Sequence, residues 1–169
     1  MNTLEYTIPA IVVFVTTAVL TWLYFRNDEK KRRQEIILNN QKQVTPIRLQ
    51  AYERLALLLE RISPENLVIR VKQQGMNSSM LQTELLKTIR SEFDHNLSQQ
   101  VYISSEAWEK VVEAKEHTVK LINTCALEVN AQAPAMELSK MVLQSMMSED
   151  VKSPHAAIEV LKKEMRIFF

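Results

Sequence analysis

One glycine, Gly75, serves all 169 residues. The corners of β-hairpins need residues that accept positive φ, above all glycine in Asn-Gly, Asp-Gly and Gly-Gly pairs, and none of these pairs occurs in the chain. The fold class is therefore all-α. Helix punctuation agrees. Thr45-Pro46, Ser63-Pro64 and Ser153-Pro154 each set a capping side chain before a proline at the first helical position, and Ala133-Pro134 repeats the start without the cap. The expectation is a compact bundle of about five to six helices over residues 44–169, cut into short helices by its prolines.

Apolar periodicity fills in the bundle. Residues 46–62 place Leu49, Tyr52, Leu55, Leu59 and Ile62 on one face, widened by Leu57 and Leu58. Residues 77–97 repeat through Leu81, Leu85, Ile89, Phe93 and Leu97. From 105 to 130 a heptad stripe runs Trp108, Val112, Lys115, Val119, Ile122, Ala126 and Val129, with one polar member. Such a stripe suits the seam of an intramolecular bundle, with Glu106/Lys110 and Glu116/Lys120 pairing on the exposed face. Two further helices follow over 134–147 and 154–166. Residues 67–71 read as helix, 101–103 as a connector, and 75–79 as the principal loop and a point of mobility.

The N-terminus differs in kind. YTIPAIVVFVTTAVLTWLYF, residues 6–25, carries no charged side chain, and its length as a helix is about 30 Å, the thickness of a bilayer's hydrocarbon core. Pro9 falls in the first turns, Thr16 and Thr17 can bond back to the preceding turn, and Tyr6, Trp22 and Tyr24 mark the two edges. Residues 1–25 are thus expected to hold a single transmembrane helix at about 6–25. Only Glu5 is charged before the run, whereas Arg26, Lys30, Lys31, Arg32 and Arg33 follow it, interrupted by Asp28 and Glu29. That order is the reverse of a cleavable signal peptide. It predicts a signal anchor with the N-terminus out, the basic cluster at anionic lipid, and the bulk of the chain cytoplasmic. Residues 26–43 are expected to form a basic juxtamembrane helix or linker.

From residue 44 onward there are 15 basic and 16 acidic residues, so no field exists to hold a polyanion and nucleic acid is not an expected partner. One cysteine excludes an internal disulfide. One glycine cannot build a phosphate-cradling loop. Glu92-x-x-His95 has the spacing of a helical carboxylate-imidazole pair, but a di-iron bundle needs two such pairs and two further glutamates. Glu113/His117 reads as a solvated pair and Cys125, deep in a helix, as a buried structural thiol. No metal, no cofactor and no enzymatic activity are expected. Methionine points elsewhere. Met136, Met141, Met146 and Met147 share one helix, and the chain ends Met165-Arg166-Ile167-Phe168-Phe169. Thioethers and terminal aromatics suit an adaptable contact, so Met146, Met147, Ile167, Phe168 and Phe169 form a candidate partner surface.

AYERLALLLERISPENLVIRV (residues 51–71), SEFDHNLSQQVYIS (residues 91–104) and Ala107-Trp108 resemble a family of uncharacterised bacterial single-pass membrane proteins found in the Bacteroidota. The resemblance covers nearly the whole chain and implies no catalytic residues and no substrate. It implies a bacterial inner membrane as the location and places Tyr52, Glu53, Arg54, Glu60, Arg61, His95, Asn96, Gln99, Gln100 and Trp108 in recognisable motifs; with Glu92, His95 and Trp108 make a candidate polar motif, whose chemistry equally suits a buried network that fixes helix register. The layout is similar to the peripheral-stalk b subunit of ATP synthase as well, but a stalk helix should be highly charged and free of proline, and this chain is 24% charged with prolines at 46, 64, 134 and 154. The expected function is a membrane-anchored helical interaction module, an adaptor or assembly subunit with a protein partner or a second copy. The alternative is a bundle enzyme or ligand sensor with a pocket near His95, and a stalk-like subunit ranks below both.

Overall fold

A computed structural model describes the backbone of residues 3–146 and 154–168, and the side chains within those ranges except at 3–10, 27–30, 37 and 168. The described residues are helical nearly throughout: α1 Thr3–Ile62, α2 Pro64–Val71, α3 Ser78–Asn96, α4 Ser105–Glu128, α5 Ala135–Met146 and α6 Pro154–Phe168, with a 3-10 turn, Leu97–Val101, between α3 and α4. Two compact units divide the chain, Met1–Pro46 and Ile47–Phe169.

The transmembrane helix expected at 6–25 is not supported, because no helix among the described residues is long and apolar enough to cross a membrane. Within the described side chains the apolar run is Ile11 to Phe25, and the same helix continues into Arg26, Lys31, Arg32 and Arg33. Tyr6 and the rest of the run to residue 10, like Lys30, lie outside the residues whose side chains are described. The orientation drawn from the basic cluster depended on that span. The threonines do behave as expected: Thr16 Oγ1 donates to the Val12 carbonyl at 2.9 Å and Thr17 Oγ1 to the Val13 carbonyl at 2.8 Å.

Thr45-Pro46 does not start a new helix. α1 passes through it, since the proline's fixed φ is helical and one lost backbone bond is all the ladder must give up beyond a local kink. Ser63-Pro64 does start α2, but not by the expected cap: Ser63 Oγ donates backward to the Glu60 carbonyl at 2.9 Å.

In the second unit one core gathers from every helix. α1 contributes Tyr52, Leu55, Leu58, Leu59 and Ile62, α2 Leu67 and Val68, α3 Leu81, Leu85 and Ile89, α5 Leu138 and Val142, and α6 Ile158 and Leu161. α4 buries Ala107, Val111, Ala114, Thr118, Leu121, Ile122 and Cys125, one position away from most of the heptad stripe read from the sequence. Trp108, Val112, Lys115, Val119 and Ala126 are only half-buried along its flank. Small residues explain the shift. Ala107, Ala114 and Thr118 let neighbouring helices approach closely, and the bulkier side chains cover the edges of the contact. The exposed pairs also differ, with Lys110 on Glu113 at 2.9 Å.

The loop before α3 is tied down rather than loose. Asn77 pairs with Pro134 as an isolated antiparallel bridge, Ser78 N–H donates to the Ala133 carbonyl at 2.8 Å, and Ala135 N–H donates to the Met76 carbonyl at 3.1 Å. Asn77 Oδ1 accepts from Met80 N–H at 2.8 Å and caps α3. This clasp joins the starts of α3 and α5. It needs the turn at Gly75, whose φ is +86°, while nothing lies within 4 Å of where a Cβ would stand. Gly75→Ala is therefore expected to cost about 1–2 kcal/mol from backbone strain alone, measured as a loss of unfolding free energy in urea.

Candidate functional site

Charged side chains from three helices meet beside the corner between α1 and α2. Arg61 lies in the last turn of α1 and Arg70 in the last turn of α2, where the carbonyl end of a helix favours cations. Arg70 Nη2 donates to the Arg61 carbonyl at 3.2 Å, and Asn66 Nδ2 donates to the Glu60 carbonyl at 3.0 Å. These bonds satisfy carbonyls that a helix end leaves without intrahelical partners. From α3, Glu92 turns its Oε1 into the corner, accepting from Arg61 Nε at 2.9 Å and Nη2 at 2.7 Å. Arg70 Nη2 stands 3.4 Å from the same oxygen. The Glu92 side chain is 17% exposed, against 46% and 36% for those of the two arginines. With the arginines this open to solvent, each pair is worth less than about 1 kcal/mol. Their consequence is geometric: two planar forks are held side by side.

The forks border a cleft of about 740 Å³, whose walls include Val71, Met76, Met80, Thr83, Glu84 and Thr88. Lys87 Nζ lies 3.4 Å from Glu84 Oε1. A second groove, about 480 Å³, runs beside Ile89, Val119 and Leu127 with Arg90, Lys115 and Lys120 at its rim.

Of the polar motif read from the sequence, the cleft takes Glu92 and neither His95 nor Trp108. His95 is exposed at the end of α3. Trp108 is half-buried and lies 5.4 Å from Phe93 between ring centroids at 30°, with Lys115 Nζ 4.8 Å from the Phe93 ring. Arg61 and Arg70 are the residues that periodicity passed over. Their signal was positional, an arginine in the last turn of each of two helices joined by a Ser-Pro corner.

The other candidates scatter. Arg26, Lys31, Arg32 and Arg33 are exposed on α1, with the Arg26 guanidinium 5.1 Å over the Trp22 ring. Met146 packs against the core, Ile167 is exposed, and Met147, Phe169 and the Phe168 side chain lie outside the described residues. Cys125 is buried, its Sγ 3.5 Å from Ser145 Oγ. Among the described residues no group of three or more His, Cys, Asp or Glu side chains could hold a metal ion.

Tyr52 is an energetic oddity. Its ring is in the core, yet its hydroxyl makes no well-formed hydrogen bond among the described residues, although Glu164 and Arg48 are near enough to act on it. Burial holds the phenol above its ordinary value of 10.0, the Glu164 carboxylate pushes the same way, and Arg48 opposes both. Below about pH 10 the phenol is neutral in folded and unfolded chains alike. Above it the unfolded chain ionises first, so stability is expected to fall as pH rises from there toward the folded value. Tyr52→Phe should abolish that fall in a pH series of urea melts. At neutral pH it should be neutral or stabilising by up to about 1 kcal/mol, because an unpaired buried hydroxyl is removed.

No curated protein and no solved structure matches the chain. A model of a family of unknown function (DUF7935) matches residues 1–168, and the chain belongs to that family.

Proposed function

We propose that this chain is a helical interaction module, an adaptor or assembly subunit that joins other polypeptides and performs no catalysis itself. One observation carries the reading. From Ile11 to Phe25 the apolar side chains of α1 are exposed on every face, from 48% at Val19 to 73% at Phe14. A helix that is apolar all round needs apolar cover, and a continuous patch of this kind marks an interaction site. The proposed cover is a partner polypeptide, of another kind or a second copy, presenting apolar helices of its own. Ile167, exposed at the far end of the chain, offers the second unit a smaller contact of the same character.

Affinity purification of the full chain in mild detergent tests the proposal. A stoichiometric second polypeptide, or a defined homo-oligomer, is the expected result. A chain that stays monomeric and soluble once detergent is removed would overturn it.

A further inference from the structure

We infer that the cleft between Arg61, Arg70 and Glu92 is a binding site for a small organic acid, a carboxylate head on an apolar body. The inference is independent of the interaction role. Arg61 uses only Nε and Nη2 on Glu92, and Arg70 only Nη2 on Glu92 and on the Arg61 carbonyl. Their remaining guanidinium N–H groups make no hydrogen bond or ion pair among the described residues. Arg61 keeps its outer edge, Nη1 with the second Nη2 N–H, the pair of donors that takes a carboxylate by two parallel bonds, and Arg70 adds single N–H donors and charge beside it.

Charge and shape narrow the ligand. Arg61 and Arg70 stand against Glu92 and Glu84 among the residues lining the cleft, so their formal charges cancel, and a neutral cleft takes a monoanion at less electrostatic cost than a doubly charged phosphate. Val71, Met76 and Met80 supply an apolar wall, and the thioethers among them adapt to a flexible chain. The volume of about 740 Å³ lies within the range of small-molecule sites. Glu92 stands beside those free donors, and its negative charge opposes any carboxylate that enters.

Octanoate is a suitable probe, with octanol and inorganic phosphate as controls, added to the full chain in a nonionic detergent. Binding is read at the methionine methyl groups by NMR, with Met76 and Met80 assigned by Met→Leu variants. Octanoate is expected to shift Met76 and Met80 but not Met136, in a saturable and salt-sensitive manner. Octanol and phosphate should do so at least tenfold more weakly. Arg61→Gln and Arg70→Gln should each weaken octanoate at least tenfold, and Arg61→Lys should not restore it, because an ammonium has no fork. Glu92→Gln should tighten it severalfold. A purely structural ion pair gives no such gain, and unfolding shows separately in the helical circular dichroism. Equal shifts with octanol would overturn the proposal, as would octanoate affinity unchanged in the arginine variants or weakened in Glu92→Gln with the fold intact.

Discussion

Leu59→Ala is expected to lower the unfolding free energy by about 3–4 kcal/mol, the range for a fully buried leucine whose surroundings collapse only partly into the space it leaves. Leu59 is 0% exposed and belongs to the same core as α2 to α6, although it lies on the helix that begins at Thr3. Domains of this size hold only about 5–15 kcal/mol in all, so the loss is a large share of the total. Leu57→Ala, two residues away on the exposed side, should cost less than about 1 kcal/mol. Urea denaturation followed by circular dichroism checks both. Similar losses at the two positions would remove the α1 segment from the core.

Val111 and Val112 give a closer comparison because the chemistry is identical. Val111 is fully buried and Val112 half-buried. Val111→Ala is expected to cost about 2 kcal/mol through lost burial and a residual cavity, and Val112→Ala less than about 1 kcal/mol. The heptad stripe read from the sequence predicts the reverse order. The same melts decide between the two phases of α4, and a larger loss at Val112 would restore the stripe.

That reversal shows where sequence reasoning reached its limit. Helix over strand was legible from the lone glycine, and the core faces of α1 and α3 from Tyr52, Leu55, Leu59 and Ile62 and from Leu81, Leu85 and Ile89, because large apolar residues there do face inward. On α4 the inward residues include Ala107, Ala114 and Thr118. Their importance comes from how closely two helices approach, a property of the pair that neither segment carries alone. The clasp at Gly75 was legible as a turn, but its bonds to Ala133 and Ala135 join residues more than fifty positions apart. Of the cleft, Glu92 was legible from its spacing to His95, and Arg61 only as a member of a motif carried by the family resemblance. Arg61 and Arg70 gain their meaning from a tertiary corner, whereas local spacing paired Glu92 with His95. The apolar N-terminal run was read as a span, and the described residues do not support one.

The interaction role rests on residues 11–25, and photo-crosslinking there tests it most directly. p-Benzoylphenylalanine placed at Phe14, the most exposed aromatic ring of that stretch, reports whatever lies against it in the cell. Irradiation of the full chain is expected to give a discrete heavier species in which it is joined to a second polypeptide, whether a partner or another copy. Adducts to lipid alone, or no adduct at all, would contradict the account.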